Sequence, residues 1–552
     1  MTQELDLSDI QGNIIRAYGH FKFTVARYYF LHINKDKSDG ARKFVDAVRK
    51  LVTTSERWGK EKNRVPRPNV TLNIGFSYYG LKALGLPTRS LAALPSEFHD
   101  GMKLRAHILG DEGESDPKHW DKIWKDSNRD SETQVHIWIS MNAFFGFESE
   151  FDNQFALLQE AIDTSKGGVT LLTGHGPNGD GEFQEAHVLR DRKPGSDPDS
   201  VPELLSCEHF GFNDGISNPV FEHQFEKKKE DLRVIGRGKL MPDQTWKPNA
   251  TGEFLLGHVD ESQELPPAAR PHDFTRNGTF MVYRKLHQNV KRFKDYVAGQ
   301  AKTYAKIMSD SKTKIDKDEA DVTIRAKMVG RWPNGVPLVV APTYEDLNQF
   351  NEKWKDIEDI ALKKLKREDL TEGEKTRQAE YNRILVDFKY NDDIEGFKCP
   401  VSAHIRRANT RDMLDPLINT KDAKGSALNM RRRILRRGLP YGEYNPDNPS
   451  DGDEQGIIFM AICASLFRQF EFVQQQWIQY GLDFNVGNDT CPVIGKHDKG
   501  DKFVIASDPE TGKPPYICAD LPPFVTTRGG EYFFIPSLTA LRMIAMGVVD
   551  TT

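Results

Sequence analysis

Short apolar runs separated by charged stretches set the texture of the first third of the chain. Residues 26–33 (ARYYFLHI), 71–76 (TLNIGF) and 135–141 (VHIWISM) are rich in β-branched and aromatic residues and predict strands. Helix-favouring charged segments lie between them, so strands and helices interleave. Residues 174–182 (GHGPNGDGE) and 192–203 (RKPGSDPDSVPE) read as loops, and a soft boundary near residue 205 divides the chain into units 1–205 and 206–552. The second unit is mixed in the same way. Residues 278–286 (GTFMVYRKL) predict a strand, and 455–467 (QGIIFMAICASLF) a strand that turns into a helix. The fold class is therefore α+β. Residues 345–395 predict a charged helical insertion, with Trp354, Ile357, Ala361, Leu362 and Leu365 on one apolar stripe. Further on, Leu466, Phe470, Val473 and Trp477 fall at steps of four, three and four, which sets Trp477 on the apolar stripe of a helix, where core packing is the ordinary role.

Composition narrows the class. The chain has 552 residues, 38% of them hydrophobic and 28% charged, enough to bury more than one core and too apolar for a disordered chain. A net charge of −5 gives no global pull toward nucleic acid or an anionic membrane. Five cysteines (Cys207, Cys399, Cys463, Cys491, Cys518) form no CxxC pair and predict reduced thiols rather than a disulfide framework or a zinc knuckle. The N-terminal segment lacks the basic and apolar regions of a secretory signal, and no apolar run reaches bilayer length. A cytoplasmic protein without membrane partners is the expectation.

Three segments carry candidate chemistry. Gly211-Phe212-Asn213-Asp214-Gly215-Ile216-Ser217 sets a carboxylate between glycines that permit a tight turn or close approach to a flat ligand, although taken alone the favoured reading is an Asp-Gly turn whose carboxylate hydrogen-bonds its own backbone. The stretch from Cys399 to Arg411 places small residues before His404 and Arg406, Arg407 and Arg411 after it, so it suits a macrocycle with acidic substituents; with 15 histidines in the chain, spacing alone does not select this one. The basic run Arg431 to Arg437 is interrupted by Ile434 and Leu435 and closed by a Gly-Leu-Pro-Tyr-Gly turn, which directs at least one arginine inward without deciding which.

Together these segments resemble the dye-decolourising peroxidases, which carry a Gly-x-x-Asp-Gly motif, then a His-bearing segment, then an Ile-Leu-Arg arginine. IQGNI (10–14), GFSYYGLKALGLP (75–87), GRWPNG (330–335) and RGGEYFFIPS (528–537) resemble the family's larger fungal and cyanobacterial-like branch, while Thr410 stands where the family has proline. The resemblance implies two ferredoxin-like modules, each an antiparallel sheet with peripheral helices, and one haem b in the second. It implies His404 as the axial ligand of the haem iron, with Asp489 as the acid behind it, Arg411 on a propionate, and Ile216 and Ser217 against the haem. Asp214 and Arg436, with Arg437 as the alternative, would be catalytic. Trp477 and Tyr441 would pass electrons to the surface. The implied activity is reduction of hydrogen peroxide and oxidation of bulky dyes and phenolic or other aromatic reductants through a ferryl intermediate, in a monomer or homodimer that binds no nucleic acid. A haem storage, delivery or sensing protein is the alternative, and it needs an axial ligand without a distal acid and guanidinium.

Overall fold

The computed structural model describes residues 4–548 except 177, 192–202, 267, 269, 310–313 and 366–368, so most of the loop expected at 192–203 lies outside the described residues. Ten strands form one sheet among the described residues: β1 (Phe23–Ile33), β2 (Val70–Phe76), β3 (Ile137–Phe144), β4 (Val169–Leu171), β5 (Gln184–His187), β6 (Thr279–Gln288), β7 (Leu435–Arg436), β8 (Leu439–Tyr441), β9 (Gly456–Cys463) and β10 (Val525–Ile535). Their order is β7-β9-β6-β10-β2-β3-β1-β4, with β8 also on β9 and β5 also on β1, and every pairing is antiparallel. The N-terminal strands order as β2-β3-β1-β4, with helices after β1 and β3, which is the ferredoxin-like arrangement. A second antiparallel group, β9-β6-β10, meets the first along one edge, where Phe534 faces Phe76.

Both faces of the sheet are covered. Every residue of β2 and β3 is buried, which is why these strands read as continuous apolar runs rather than as alternation. Helix α1 (Ser38–Arg49) supplies Ala41, Phe44, Val45 and Val48 at helical spacing to that core, beside α2 (Phe151–Thr164). In the second half α3 (Val290–Met308) and α4 (Lys317–Val329) pack with Trp477, Phe503 and Phe524 into a separate core. The strand β9 does give way to a helix, of π-helical form over Leu466–Glu471 and Val473–Ile478, and Leu466, Phe470, Val473 and Trp477 are all buried.

The charged insertion forms α5 (Tyr344–Lys353), α6 (Ile357–Leu365) and α7 (Glu372–Ile384). Its expected stripe needs correction. The chain turns at Trp354, so the stripe is split between two helices, and Ile360 is buried in place of Ala361. Trp354 instead packs on Phe350 and Tyr381 under the Arg377 guanidinium, 4.3 Å from its ring. The side chains of Leu362 and Leu365 lie outside the described residues.

Candidate active site

A largely apolar cavity opens in the second half, with about 300 Å³ available to the centres of water molecules, and its lining runs from Glu208 to Val525. Phe212, Ile216, Ile434, Phe470 and Ile478 are among its walls, and Asp214, Ser217, His404, Arg411 and Arg436 all reach it. Three segments of the sequence thus converge on one space, although Asp214 and Arg436 are 222 residues apart.

The Asp214 loop is held from two sides. Asn213 donates its backbone N–H to Pro333 and its amide to Asn334, so the Gly330–Gly335 turn seats the loop. Gly215 needs to be glycine twice over: its φ is +75°, and a Cβ there would stand 2.9 Å from the His20 ring. Asp214 Oδ1 accepts from Arg436 Nη1 at 2.5 Å and from the Gly215 N–H at 2.6 Å. Burial pushes the Asp214 carboxyl up, but the Arg436 guanidinium and these hydrogen bonds outweigh it and hold the group below its ordinary range. At the neighbouring His20, burial outweighs the pull of Asp214 and lowers the imidazole to about 4. Strand alternation settles which arginine turns inward. Arg436, in β7, faces the cavity, whereas Arg437 donates to the carbonyls of Asn13 and Ile14 and is fully committed there.

His404 is the first residue of the short helix α8 (His404–Ala408). Arg406 and Arg407 anchor that helix, the first on Asp393 and the second on the carbonyls of Trp477, Tyr480 and Asp489. The acid expected behind His404 is not there. Asp489 turns its carboxylate to Lys502 at 3.0 Å, and Cys491 Sγ stands 3.4 Å from His404 Nδ1 instead. Burial pushes the Cys491 thiol up, but His404, the Ile494 N–H and Arg407 outweigh it and hold the thiol below its usual range.

Three arginines on the cavity lack an ionic partner. Arg331, Arg411 and Arg433 are 6%, 4% and 6% exposed, and none has a carboxylate at ion-pair distance among the described residues. Their contacts are carbonyls, Ser217 Oγ and the Phe388 ring, which lies 3.8 Å from the Arg411 guanidinium. Burial, reinforced by Arg411, brings Arg331 and Arg433 down to about 9. Sequence reasoning named only Arg411 of the three; Arg331 sat unremarked in GRWPNG and Arg433 in the basic run. Glu208 was also missed: its buried carboxylate accepts the N–H groups of Phe210 and Phe212 and the amide of Gln288, and burial raises it to about 7. Both candidate relay residues are buried. Trp477 and Tyr441 are 1% and 2% exposed, and the Tyr441 hydroxyl has no hydrogen-bond partner.

Buried guanidiniums without counter-charges favour an acidic ligand, apolar walls favour a flat ring system, and an imidazole with one nitrogen engaged offers the other to a metal. These residues fit haem, and an α+β haem protein is the class the fold and cavity define. Residues 9–166 match the family model of the DyP dimeric alpha+beta barrel domain. Over nearly its whole length the chain is similar to dye-decolourising peroxidases. It is 27% identical to Peroxidase 2 of Mycetinis scorodonius over 98% of this chain and 87% of that one. To the multifunctional dye peroxidase of Amycolatopsis sp. it is 26% identical, over 98% of this chain and 96% of the relative. Its fold matches the fungal DyP-type peroxidase of Auricularia auricula-judae with a TM-score of 0.67 at 21% identity, covering 99% of this chain and 100% of the other.

Proposed function

We propose that this chain uses one haem b to reduce hydrogen peroxide at the expense of dyes and phenolic or other aromatic reductants. The observation that carries the reading is the Asp214–Arg436 pair on the same cavity as His404. A storage or delivery protein needs no such pair. Relatives named for dyes and a solved dye-decolourising peroxidase in complex with 2,6-dimethoxyphenol support the reductant classes. Arg331, Arg411 and Arg433 would hold the propionates, with Ile216 and Ser217 against the ring. His404 would offer Nε2 to the iron, since Nδ1 is taken by Cys491.

Haem held by His404 and the three arginines would supply the redox chemistry for peroxide reduction. Oδ1 of Asp214 is engaged by Arg436 and Gly215, which leaves Oδ2 to take the proton from one peroxide oxygen and return it to the other, so that the second leaves as water. Arg436 stabilises the negative charge that develops on the departing oxygen, and its backbone N–H, donated to Asn218 Oδ1 at 2.9 Å, fixes its strand. The same reading makes 1–205 a supporting module and 206–552 the haem module, in a cytoplasmic monomer or homodimer that binds no nucleic acid. The lining of the cavity from Glu208 onward and the free state of the five cysteines support it.

Stopped-flow mixing of the haem-loaded protein with one equivalent of peroxide tests this. Asp214→Asn and Arg436→Leu should each slow the first Soret change about 100-fold or more while haem stays bound. Asp214 acts ionised, so the wild-type rate should fall only as pH drops through a pKa below ~4. Arg436→Leu removes the largest downward influence on that carboxyl and should move the fall to higher pH. Wild-type rates in both variants would refute the assignment.

A further inference from the structure

The contact behind His404 is unlike the carboxylate that the sequence led us to expect. We infer that Cys491 is the positioning residue of the proximal side, its sulfur receiving the Nδ1–H of His404 in place of an acid. The inference rests on His404 being the haem ligand, as proposed above.

The geometry makes the sulfur an acceptor. A neutral imidazole that presents Nε2 to a metal must carry its proton on Nδ1, and that nitrogen lies 3.4 Å from Cys491 Sγ, an ordinary N–H···S separation. The Ile494 N–H is also directed to the sulfur. The other groups nearby are committed elsewhere. Arg407 spends its Nη atoms on Trp477, Tyr480, Ser402 and Asp489, and His497 binds the carbonyls of Pro522 and Cys491. Asp489, two residues away, is tied to Lys502. Cys491 is itself fully buried, its carbonyl accepts the Gly495 N–H and its own N–H donates to the Ile478 carbonyl, so its backbone is fixed on both sides.

Sulfur is a weaker acceptor than a carboxylate, so the imidazole gains less electron density than it would from an acid. An iron on this imidazole is consequently easier to reduce than one backed by aspartate. The ring is still fixed in one tautomer.

The test is the ferric/ferrous midpoint potential of the haem-loaded protein, with the iron–imidazole stretch of the ferrous form, in Cys491→Asp, Cys491→Ser and Cys491→Ala. The expected order of potentials is Asp lowest, wild type between, and Ala highest, with the stretch highest for Asp and lowest for Ala. Cys491→Ala should also weaken haem retention about tenfold. Cys491→Ser, nearly isosteric, keeps the question open to measurement if the aspartate is not tolerated: its stretch should stay closer to wild type than that of the alanine variant. Potentials and stretches that are equal across the folded variants overturn the inference. His404→Ala separates the two levels of the argument. If it retains haem with an unchanged Soret band, the proposed function fails; if it loses haem while the Cys491 variants match wild type, only this inference does.

Discussion

Arg406 and Arg433 are both buried arginines of the second half, and their surroundings are opposite. Arg406 is fully buried against Asp393 at 3.0 Å, donates to the carbonyls of Cys399, Asp393 and Ile394, and lies over the Tyr390 ring. Every side of that guanidinium is answered from within the chain. Arg433 has one long contact, 3.4 Å to the Gly238 carbonyl, and its nearest charged influence is another arginine, Arg411. An unanswered buried cation is costly unless something outside the chain answers it. The contrast separates an arginine that holds the α8 helix from those that await an anion. Under the proposed function the acidic edge of the ligand would lie among Arg331, Arg411 and Arg433, with only one member of the basic run on it.

The largest effect should come from breaking the answered arginine. Arg406→Leu leaves Asp393 buried with the Lys398 and Cys399 N–H groups but no counter-charge and should cost about 3–5 kcal/mol of stability, read as a lowered denaturation midpoint with or without haem. A shift under about 1 kcal/mol would mean that Asp393 finds water or another partner and that the two arginines differ less than their contacts indicate.

Arg433→Leu sharpens the comparison because its two readouts should move in opposite directions. Without haem the variant should be as stable as wild type or more so, by about 1 kcal/mol, since an unmatched charge leaves the interior. With haem, retention should fall, about tenfold, through loss of a charge-assisted contact. A variant less stable in both states would show that Arg433 is structural like Arg406.

Glu208 extends the comparison to a buried acid. It is answered by N–H groups but by no cation, and burial raises its pKa to about 7 from an ordinary 4.5. Between those values the folded state holds the proton and the unfolded state does not, so stability falls as pH rises through the interval and levels off above 7. Glu208→Gln removes the titration while keeping an acceptor for one of the Phe210 and Phe212 N–H groups, which bind different carboxylate oxygens, and should flatten that part of the stability profile. A slope identical to wild type would place the titration elsewhere, Glu531, also raised to about 7, being the next group to change.

What the sequence made legible follows from where the information lies. Strands β1, β2, β3 and β6 are readable because runs of β-branched and aromatic residues fill both buried faces of one sheet. Asp214, His404 and Arg436 are brought together by a resemblance, since nothing local marks them. The unmatched state of Arg331 and Arg433 is a property of the folded surroundings, and no pattern in a basic run distinguishes an answered guanidinium from an unanswered one. Asp489 attracts the proximal role because a search for an acid passes over a thiol, and the true neighbour, Cys491, stands two positions on. The insertion stripe fails at Trp354 because helical periodicity does not carry across a turn.

Trp477 carries the smallest expected effect and the finest distinction. Its indole Nε1 donates to Asp483 at 3.0 Å, its carbonyl accepts from Arg407 at 2.8 Å, and its ring lies between those of Phe472 and Phe484. The backbone contact survives replacement by phenylalanine, and the lost indole hydrogen bond is worth about 1 kcal/mol. Trp477→Phe should therefore keep haem, keep the rate of reaction with peroxide, and lower the denaturation midpoint only slightly. If the buried indole also relays electrons to substrates too large for the cavity, the variant should oxidise bulky anthraquinone dyes more slowly while small phenols are little affected, and Tyr441→Phe, which removes a hydroxyl that has no partner, serves as the matched comparison. Loss of both substrate classes in proportion to lost haem would return Trp477 to a packing role. Unchanged dye turnover in both variants, singly and combined, would move the relay to another path.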